Sequence, residues 1–172
     1  SLSFNGQRCT ALKILFVHED VVDSFIEKFN RKLATLKPGM PWEDGVSLTP
    51  LPEQGKVDYL GGLVTDALAH GAKVVNENGG ASRGSFFYPA VLYPVNPQMR
   101  VYHEAQFGPV VPIVPSRDLE TVIDYVLDSD FGQQLSIFGT NAVQVGRLVD
   151  TFANQVGRIN INAPCQIGRA HV

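Results

Sequence analysis

Hydrophobic and polar positions follow two different periods along this chain. The short, mainly apolar run from Leu12 to Val17 predicts a buried strand. Residues 18–20 (His-Glu-Asp) offer an N-terminal cap, and the apolar positions that follow share one helical face: Val22, Phe25, Ile26, Phe29, Leu33 and Leu36. We therefore expect a strand followed by an amphipathic helix that stops before Pro38.

The rest of the chain continues to alternate between the two periods. Further helices are expected over residues 53–70, 118–127 and 141–154, and extended segments over residues 72–76, 86–95, 107–114, 135–138 and 158–162. The first of these helices should end at Gly71 and turn four residues inward: Val57, Leu60, Val64 and Leu68. The alternation predicts an α/β fold with a mostly parallel sheet and helices on both faces. Because no linker is evident, we expect one domain over residues 1–166.

Composition narrows the possible partners. The chain has 172 residues, of which 44% are hydrophobic, and a formal net charge of −3. This charge gives no electrostatic reason to expect nucleic acid or an anionic membrane as a partner. Pro, Gly or charge interrupts every apolar run, so no membrane span is expected, and no targeting segment is visible. Two cysteines, Cys9 and Cys165, do not form a disulfide framework, and no His/Cys cluster has metal-ligand spacing, which favours a reducing, cytoplasmic setting without a metal.

Cys9 is the strongest candidate for chemistry. It follows the polar approach Asn5-Gly6-Gln7-Arg8 and precedes the first predicted strand. A thiolate at such a corner could attack a carbonyl carbon, while backbone N–H groups donate to the developing oxyanion. The adjacent Arg8 would favour thiolate over thiol. The alternative is a half-buried cysteine that packs as a small hydrophobic residue.

Three segments resemble motifs of the aldehyde dehydrogenase superfamily. Residues 2–13 (LSFNGQRCTALK) resemble its active-site cysteine motif, and residues 103–112 (HEAQFGPVVP) resemble its Glu-Glu-x-Phe-Gly-Pro-Val signature. Residues 156–162 (VGRININ) are similar to the strand before its C-terminal loop. The resemblance extends from residue 1 to about residue 166. It implies the catalytic domain of this superfamily, incomplete here, with Cys9 as the catalytic nucleophile.

The resemblance is most specific to the branch that oxidises glyceraldehyde 3-phosphate with NADP without phosphorylating it. Arg8 directly before the cysteine, TPLPE at residues 49–53 and FGQQ at residues 131–134 carry this likeness. It implies that 3-phosphoglycerate forms through a thiohemiacetal and a thioester on Cys9, that NADP is the cofactor with NAD also possible, and that Arg8 binds the substrate phosphate. Two alternatives stay open: another aliphatic aldehyde or semialdehyde as substrate, and a non-catalytic relative with a structural cysteine.

The signature segment departs from the family pattern at one position. By resemblance, the residue two positions before the phenylalanine is a glutamate that hydrogen-bonds the nicotinamide ribose. Here that position is Ala105, and the neighbouring carboxylate, Glu104, is one residue away. Glu104 is therefore a weak cofactor-binding candidate. Phe107 is expected to pack near the nicotinamide, and its alternative is a core aromatic.

The chain ends carry a separate expectation. By resemblance, the general base and an oxyanion-binding asparagine lie upstream of residue 1, so the isolated chain should be inactive. The resemblance also implies that the full-length protein is a cytoplasmic homotetramer that acts in glycolysis. In the family an arginine directly follows the Cys-Gln pair, but Ile167 follows Cys165 and Gln166 here. The codons ATC GGA AGA GCA CAC GTC, a common sequencing-adapter read, encode residues 167–172, which we expect to be a non-native tail.

Overall fold

The computed structural model describes residues 2–164, which form one compact unit ending at Arg117 and a second beginning at Asp118. The first unit holds eight strands, β1 (Leu15–His18), β2 (Lys37–Pro38), β3 (Val46–Leu48), β4 (Lys73–Val74), β5 (Ser82–Arg83), β6 (Phe86–Phe87), β7 (Ala90–Tyr93) and β8 (Val110–Ser116). It also holds three α-helices, α1 (Glu19–Leu33), α2 (Lys56–Ala69) and α3 (Arg100–His103). Within residues 2–164, no helix is both long and apolar enough to cross a bilayer.

A four-stranded sheet in the order β1-β8-β7-β4 forms the centre of the first unit. β8 pairs in parallel with β1 on one side and with β7 on the other, and Leu15 lies opposite Ile113. Only the edge strand β4 runs antiparallel, against β7. The predicted mostly parallel sheet is therefore confirmed. Two short ladders, β2 with β3 and β5 with β6, lie outside it.

Helices cover both faces of this sheet. On one face, buried residues of α1 cluster with alternate residues of the central strands: Val17, Val22, Leu33, Val91, Val111 and Ile113. The residues between them, such as Ala90, Leu92 and Val110, point to the opposite face because side chains alternate along a strand. α2 contacts β4 and β7 and buries its own apolar stripe: Leu60, Leu63, Val64 and Ala67.

The first helix begins where the sequence predicts. The Nδ1 atom of His18 accepts a hydrogen bond of 3.3 Å from the backbone N–H of Asp20. Glu19 and Asp20 in the first turn and Arg31 and Lys32 in the last complement the helix dipole. The preceding strand begins at Leu15 rather than Leu12, because the backbone of residues 12–13 bonds to another segment described below.

One predicted core position is wrong. Leu68 is 48% exposed, whereas Ala67 is fully buried in its place. The buried stripe of α2 is centred between Leu60 and Ala67, and one further residue turns the side chain about 100° away from it. Gly71 does end the helix region, with a left-handed φ of +98°.

The second unit contains α4 (Glu120–Asp128), β9 (Leu135–Ile137), α5 (Ala142–Phe152) and β10 (Ile159–Ile161). β9 and β10 pair in parallel around a small core of four residues: Ile123, Ile137, Leu148 and Phe152. The Oδ1 atom of Asn141 caps α5 by accepting from the N–H groups of Val143 and Gln144 at 3.1 and 3.2 Å. The assignment of residues 1–166 to one domain stays a prediction, and Cys165, Gln166 and the tail expected over residues 167–172 lie outside the described residues.

Candidate active site

The segment before Cys9 has an unusual backbone. Phe4, Asn5 and Gly6 all have left-handed φ angles, of 53°, 56° and 69°, within a 3₁₀ turn over Ser3–Gly6. Glycine adopts this region freely and asparagine tolerates it, but for an aromatic residue it is strained. The turn closes when the N–H of Gln7 donates to the carbonyl of Phe4 at 3.0 Å. The strain indicates that contacts elsewhere hold this turn in place.

Asn5 supplies those contacts. Its side chain is 5% exposed, and its Nδ2 donates to the carbonyl and the Oγ1 of Thr49 at 3.1 and 2.8 Å. Its Oδ1 accepts from the N–H of Thr49 at 3.1 Å. One carboxamide thus pairs with both backbone groups of Thr49, directly after β3, and fixes the start of the cysteine segment.

Arg8 and Cys9 are both exposed in the turn that follows. The N–H of Ala11 donates to the carbonyl of Arg8 at 2.9 Å, which closes a turn around the cysteine. The Arg8 guanidinium lies over the ring of Phe4, with 3.7 Å between its central carbon and the ring centroid. The thiol and the cation are therefore both exposed at one turn of this chain.

Gln106 joins the cysteine segment to the signature segment. Its side chain is 3% exposed, and its Nε2 donates to the carbonyls of Leu12, Lys13 and Val110 at 3.0, 2.9 and 3.2 Å. The two segments lead into β1 and β8, whose N-terminal ends meet at one sheet edge because the strands are parallel neighbours. The structure therefore brings together the two motifs that are distant in sequence.

The Glu104 carboxylate is engaged by hydrogen bonds from neighbouring helices. Its carboxylate accepts from the Nε and Nη2 of Arg100 at 2.7 and 3.0 Å and from the Tyr59 hydroxyl at 3.2 Å. The Arg100 hydrogen bond is the main reason that the pKa of Glu104 lies below its usual value. The Tyr59 hydroxyl also contacts the Ala105 carbonyl at 2.9 Å. Glu104 is thus held by α2 and α3, and Ala105 brings no side-chain hydrogen-bonding group.

Phe107 lies at the surface of this chain rather than in its core. Its side chain is 46% exposed, and its φ is +39°. Directly after it, a Cβ on Gly108 would lie 2.6 Å from the Cδ1 of Leu60, so only glycine fits against α2 there. The tight contact at Gly108 and the left-handed backbone at Phe107 together turn the aromatic ring outward. The core alternative for Phe107 does not describe this chain.

Sequence reasoning missed Lys13 as a member of this region. Its Nζ donates to the carbonyl of Val101 at 2.5 Å, next to Glu104. Burial lowers the pKa of Lys13 to about 8, and the negative charge of Glu104 partly opposes that shift. The available signal was a charged residue inside an otherwise apolar strand run. Among residues 2–164, no group of three or more His, Cys, Asp or Glu side chains is placed to hold a metal ion.

Comparison with known proteins gives relatives of greater length. An NADP-dependent glyceraldehyde-3-phosphate dehydrogenase of Zea mays is 36% identical over 169 residues, which cover 98% of this chain and 33% of that protein. The chain thus spans about a third of the length of the curated relatives it matches. A 3,6-anhydro-alpha-L-galactose dehydrogenase of Vibrio sp. (strain EJY3) is 32% identical over 162 residues, 91% of this chain and 33% of that protein.

A solved structure agrees in fold as well as in sequence. The NADP-dependent glyceraldehyde-3-phosphate dehydrogenase from Bacillus halodurans C-125, complexed with NADP, superposes with a TM-score of 0.90 at 34% identity, covering 99% of this chain and 35% of that one. The profile described as "Aldehyde dehydrogenase family" matches residues 1–172. This chain therefore belongs to the aldehyde dehydrogenase family.

Proposed function

We propose that this chain supplies the nucleophile and the phosphate-binding cation of an NADP-dependent enzyme that oxidises glyceraldehyde 3-phosphate to 3-phosphoglycerate. The observation that carries the proposal is the pair Arg8 and Cys9, adjacent and exposed in one closed turn. Among residues 2–164, no carboxylate forms a salt bridge with Arg8. A guanidinium that no carboxylate engages can donate its N–H groups to phosphate oxygens.

The chemistry proposed for Cys9 is covalent. Its thiolate forms a C–S bond to the aldehyde carbon, and the carbonyl electron pair moves onto oxygen as a thiohemiacetal oxyanion. NADP in its oxidised form, when bound, accepts the hydride that leaves this carbon. The resulting thioester reacts with water, which breaks the C–S bond, releases the carboxylic acid and returns the thiol.

The residues near the signature fit part of the cofactor. The outward ring of Phe107 offers an aromatic face to a nicotinamide ring. Ala105 offers no carboxylate to the ribose, and Glu104 is engaged by Arg100 and Tyr59. In this proposal Phe107 holds the nicotinamide end, and Glu104 is a structural residue. Relatives named as NADP-dependent support NADP over NAD.

The decisive experiment replaces the nucleophile in the full-length enzyme that contains this chain. We expect Cys9→Ala to lower turnover of glyceraldehyde 3-phosphate at least about 1,000-fold, because the proposed acyl intermediate forms on the Cys9 sulfur. An unchanged thermal unfolding midpoint would show that the fold persists. Turnover within a few fold of the unsubstituted enzyme would reject Cys9 as the nucleophile.

A second substitution tests the substrate. Arg8→Leu should lower the preference for glyceraldehyde 3-phosphate over plain glyceraldehyde, measured as a ratio of kcat/KM values, by about 10- to 100-fold because charged hydrogen bonds to the phosphate are lost. Arg8→Lys keeps the charge without the forked N–H groups of the guanidinium, so its ratio should lie between those of the unsubstituted enzyme and Arg8→Leu. An unchanged ratio would contradict the phosphorylated substrate and leave the enzyme class intact.

A different aldehyde is the second candidate. The structure of a succinate-semialdehyde dehydrogenase from Burkholderia pseudomallei superposes with a TM-score of 0.89 at 31% identity, covering 97% of this chain and 34% of that one. Such a substrate carries a carboxylate, which a guanidinium also binds. A panel of succinate semialdehyde, plain glyceraldehyde and glyceraldehyde 3-phosphate, each with NAD and NADP, separates the candidates.

A non-catalytic role is the third candidate. It needs an inert, structural Cys9, whereas the thiol is exposed in this chain. Thiol labelling across pH would decide, since an inert buried cysteine labels slowly and titrates high. The inactivity of the isolated chain, the homotetrameric state and the cytoplasmic location stay predictions. A sedimentation measurement on the full-length protein checks the tetramer.

A further inference from the structure

Phe4 is the exposed aromatic residue beside the candidate nucleophile. Its side chain is 63% exposed, although its backbone is held in a left-handed conformation with a φ of 53°. Both features disfavour an aromatic residue at this position. The ring nevertheless contacts the guanidinium of Arg8, whose central carbon lies 3.7 Å from the ring centroid.

The short distance indicates face-to-face stacking. A guanidinium that pointed an N–H at the ring would hold its central carbon farther from the centroid than 3.7 Å. Arg8 has its five N–H donors in the guanidinium plane, so a ring on one face leaves the whole donor edge free. The stack therefore fixes the direction of the cation without using the groups that bind an anion.

Hydrogen bonds hold the backbone of the turn that carries Phe4. Asn5, the next residue after Phe4, is buried and pairs with both backbone groups of Thr49. The carbonyl of Phe4 accepts from Gln7, which closes the same turn. Because the backbone on both sides of the ring is held, the ring has a defined base from which it meets the guanidinium of Arg8.

We propose that Phe4 is a positioning residue that sets the preference for phosphorylated over plain aldehydes by holding Arg8 ready for the phosphate. The inference rests on the proposed function, because it assumes that Arg8 binds the substrate phosphate. A free arginine loses the rotamer freedom of a long side chain when it binds an anion. On Phe4 that freedom is already restricted before the substrate arrives, so less affinity is lost on binding.

The test compares two substitutions that share the same backbone strain. Phe4→Leu removes the aromatic face and keeps an apolar side chain, whereas Phe4→Tyr keeps the face; neither is a glycine, so the left-handed φ affects both alike. In the full-length enzyme, we measure kcat/KM for glyceraldehyde 3-phosphate and for plain glyceraldehyde. We expect Phe4→Leu to lower the ratio about two- to fivefold, mainly through KM of the phosphorylated substrate, and Phe4→Tyr to retain it.

Three outcomes decide the matter when Arg8→Leu is measured in parallel. A lowered ratio in Arg8→Leu and Phe4→Leu with retention in Phe4→Tyr supports the inference. A lowered ratio in Arg8→Leu with no change in Phe4→Leu, or with equal losses in Phe4→Leu and Phe4→Tyr, overturns the role of Phe4 and leaves the phosphorylated substrate standing. An unchanged ratio in Arg8→Leu overturns the phosphorylated substrate and, with it, the inference. Thermal unfolding midpoints of all variants identify any that fail to fold.

Discussion

The cysteine segment, residues 3–11, and the signature segment, residues 103–112, are held in place by different contacts. In the cysteine segment, Phe4, Arg8 and Cys9 are exposed. The signature segment has Gln106 at its buried centre, 3% exposed, and a glycine pressed against α2. The first segment exposes the thiol and the cation, whereas the second supplies Gln106, which bonds to residues just after the first, and the exposed ring of Phe107.

The difference shows how an exposed nucleophile is kept in place. Two carboxamides bracket it: Asn5 ties the start of the cysteine segment to Thr49, and Gln106 ties the carbonyls of Leu12 and Lys13 just beyond its end. The residues between these two anchors need not bury any surface to keep a defined geometry. Substitutions at Gln106, which joins the segments leading into β1 and β8, should therefore change global stability, whereas those at Asn5, which holds one turn, should mainly change local behaviour.

The strongest way to break this arrangement is Gln106→Glu. A carboxylate would face the three carbonyl oxygens that now accept from Nε2, and we expect a loss of about 3–5 kcal/mol in the free energy of unfolding at neutral pH. The introduced carboxyl should have a raised pKa because burial and carbonyl dipoles disfavour its charge. Its protonated form is favoured by folding, so the loss should shrink as pH falls. Urea unfolding of the chain at pH 7 and pH 5 measures both effects.

Gln106→Met is the matched control for that substitution. It keeps a long side chain and removes the donors without adding charge, so the loss should be about 1–3 kcal/mol and independent of pH. Equal stability of the Glu and Met variants at pH 7 would mean that Nε2 does not hold these carbonyls.

Lys13, whose carbonyl bonds to Gln106, tests the same region through the pH dependence of the free energy of unfolding. Burial lowers its pKa from 10.5 to about 8, so between these values the unfolded chain binds more protons than the folded chain. Stability contributed by this site should therefore rise with pH across that window, and the burial penalty is fully present below pH 8. The gain should be at most about 3 kcal/mol.

The matched variant for this experiment is Lys13→Met, which removes the charge. The difference in unfolding free energy between the unsubstituted chain and Lys13→Met should move in favour of lysine from pH 8 to pH 10.5. Lys13 faces the Val101 carbonyl and the charge of Glu104, so Glu104→Gln should lower the pKa of Lys13 further and enlarge the total effect. A pH-independent difference would place Lys13 in water rather than at the junction.

Local patterns predicted the central fold well, but long-range contacts decided the rest. The alternation of periods predicted β1, α1 and the mostly parallel sheet, because each depends on short-range spacing. It could not choose between Ala67 and Leu68 as the inward residue of α2, since that depends on which strands the helix meets. At the site, the motifs named Arg8, Cys9 and Phe107, whose roles stay predictions. The roles of Asn5 and Gln106 depend on partners 44 and 94 residues away, which no local pattern encodes.

The packing of the signature segment gives a smaller effect. Gly108→Ala would place a Cβ 2.6 and 2.8 Å from the two Cδ atoms of Leu60, which is fully buried and would have to shift. We expect a loss of about 1–3 kcal/mol in thermal or urea unfolding. Gly61 lies next to Leu60 in α2, and a Cβ there meets nothing within 4 Å. Gly61→Ala should therefore raise the free energy of unfolding by about 0.5–1 kcal/mol. Similar results for both would mean that Gly108 is not packed against α2.

The smallest effect on stability, and the sharpest test of the comparison, is at Asn5. Asn5→Gly removes the clamp on Thr49 but suits the left-handed backbone, and we expect a loss of only about 1–2 kcal/mol in unfolding free energy. Asn5→Ala should lose more, because a Cβ without a compensating hydrogen bond is strained at a φ of 56°.

In a Cys165→Ser background, both variants should change the rate at which Cys9 reacts with a thiol reagent. Gln106→Met, at the anchor between the two segments, should change unfolding more than labelling. If Asn5→Gly altered global stability as much as Gln106→Met while Cys9 labelled at an unchanged rate, the two segments would not differ in the way their contacts indicate.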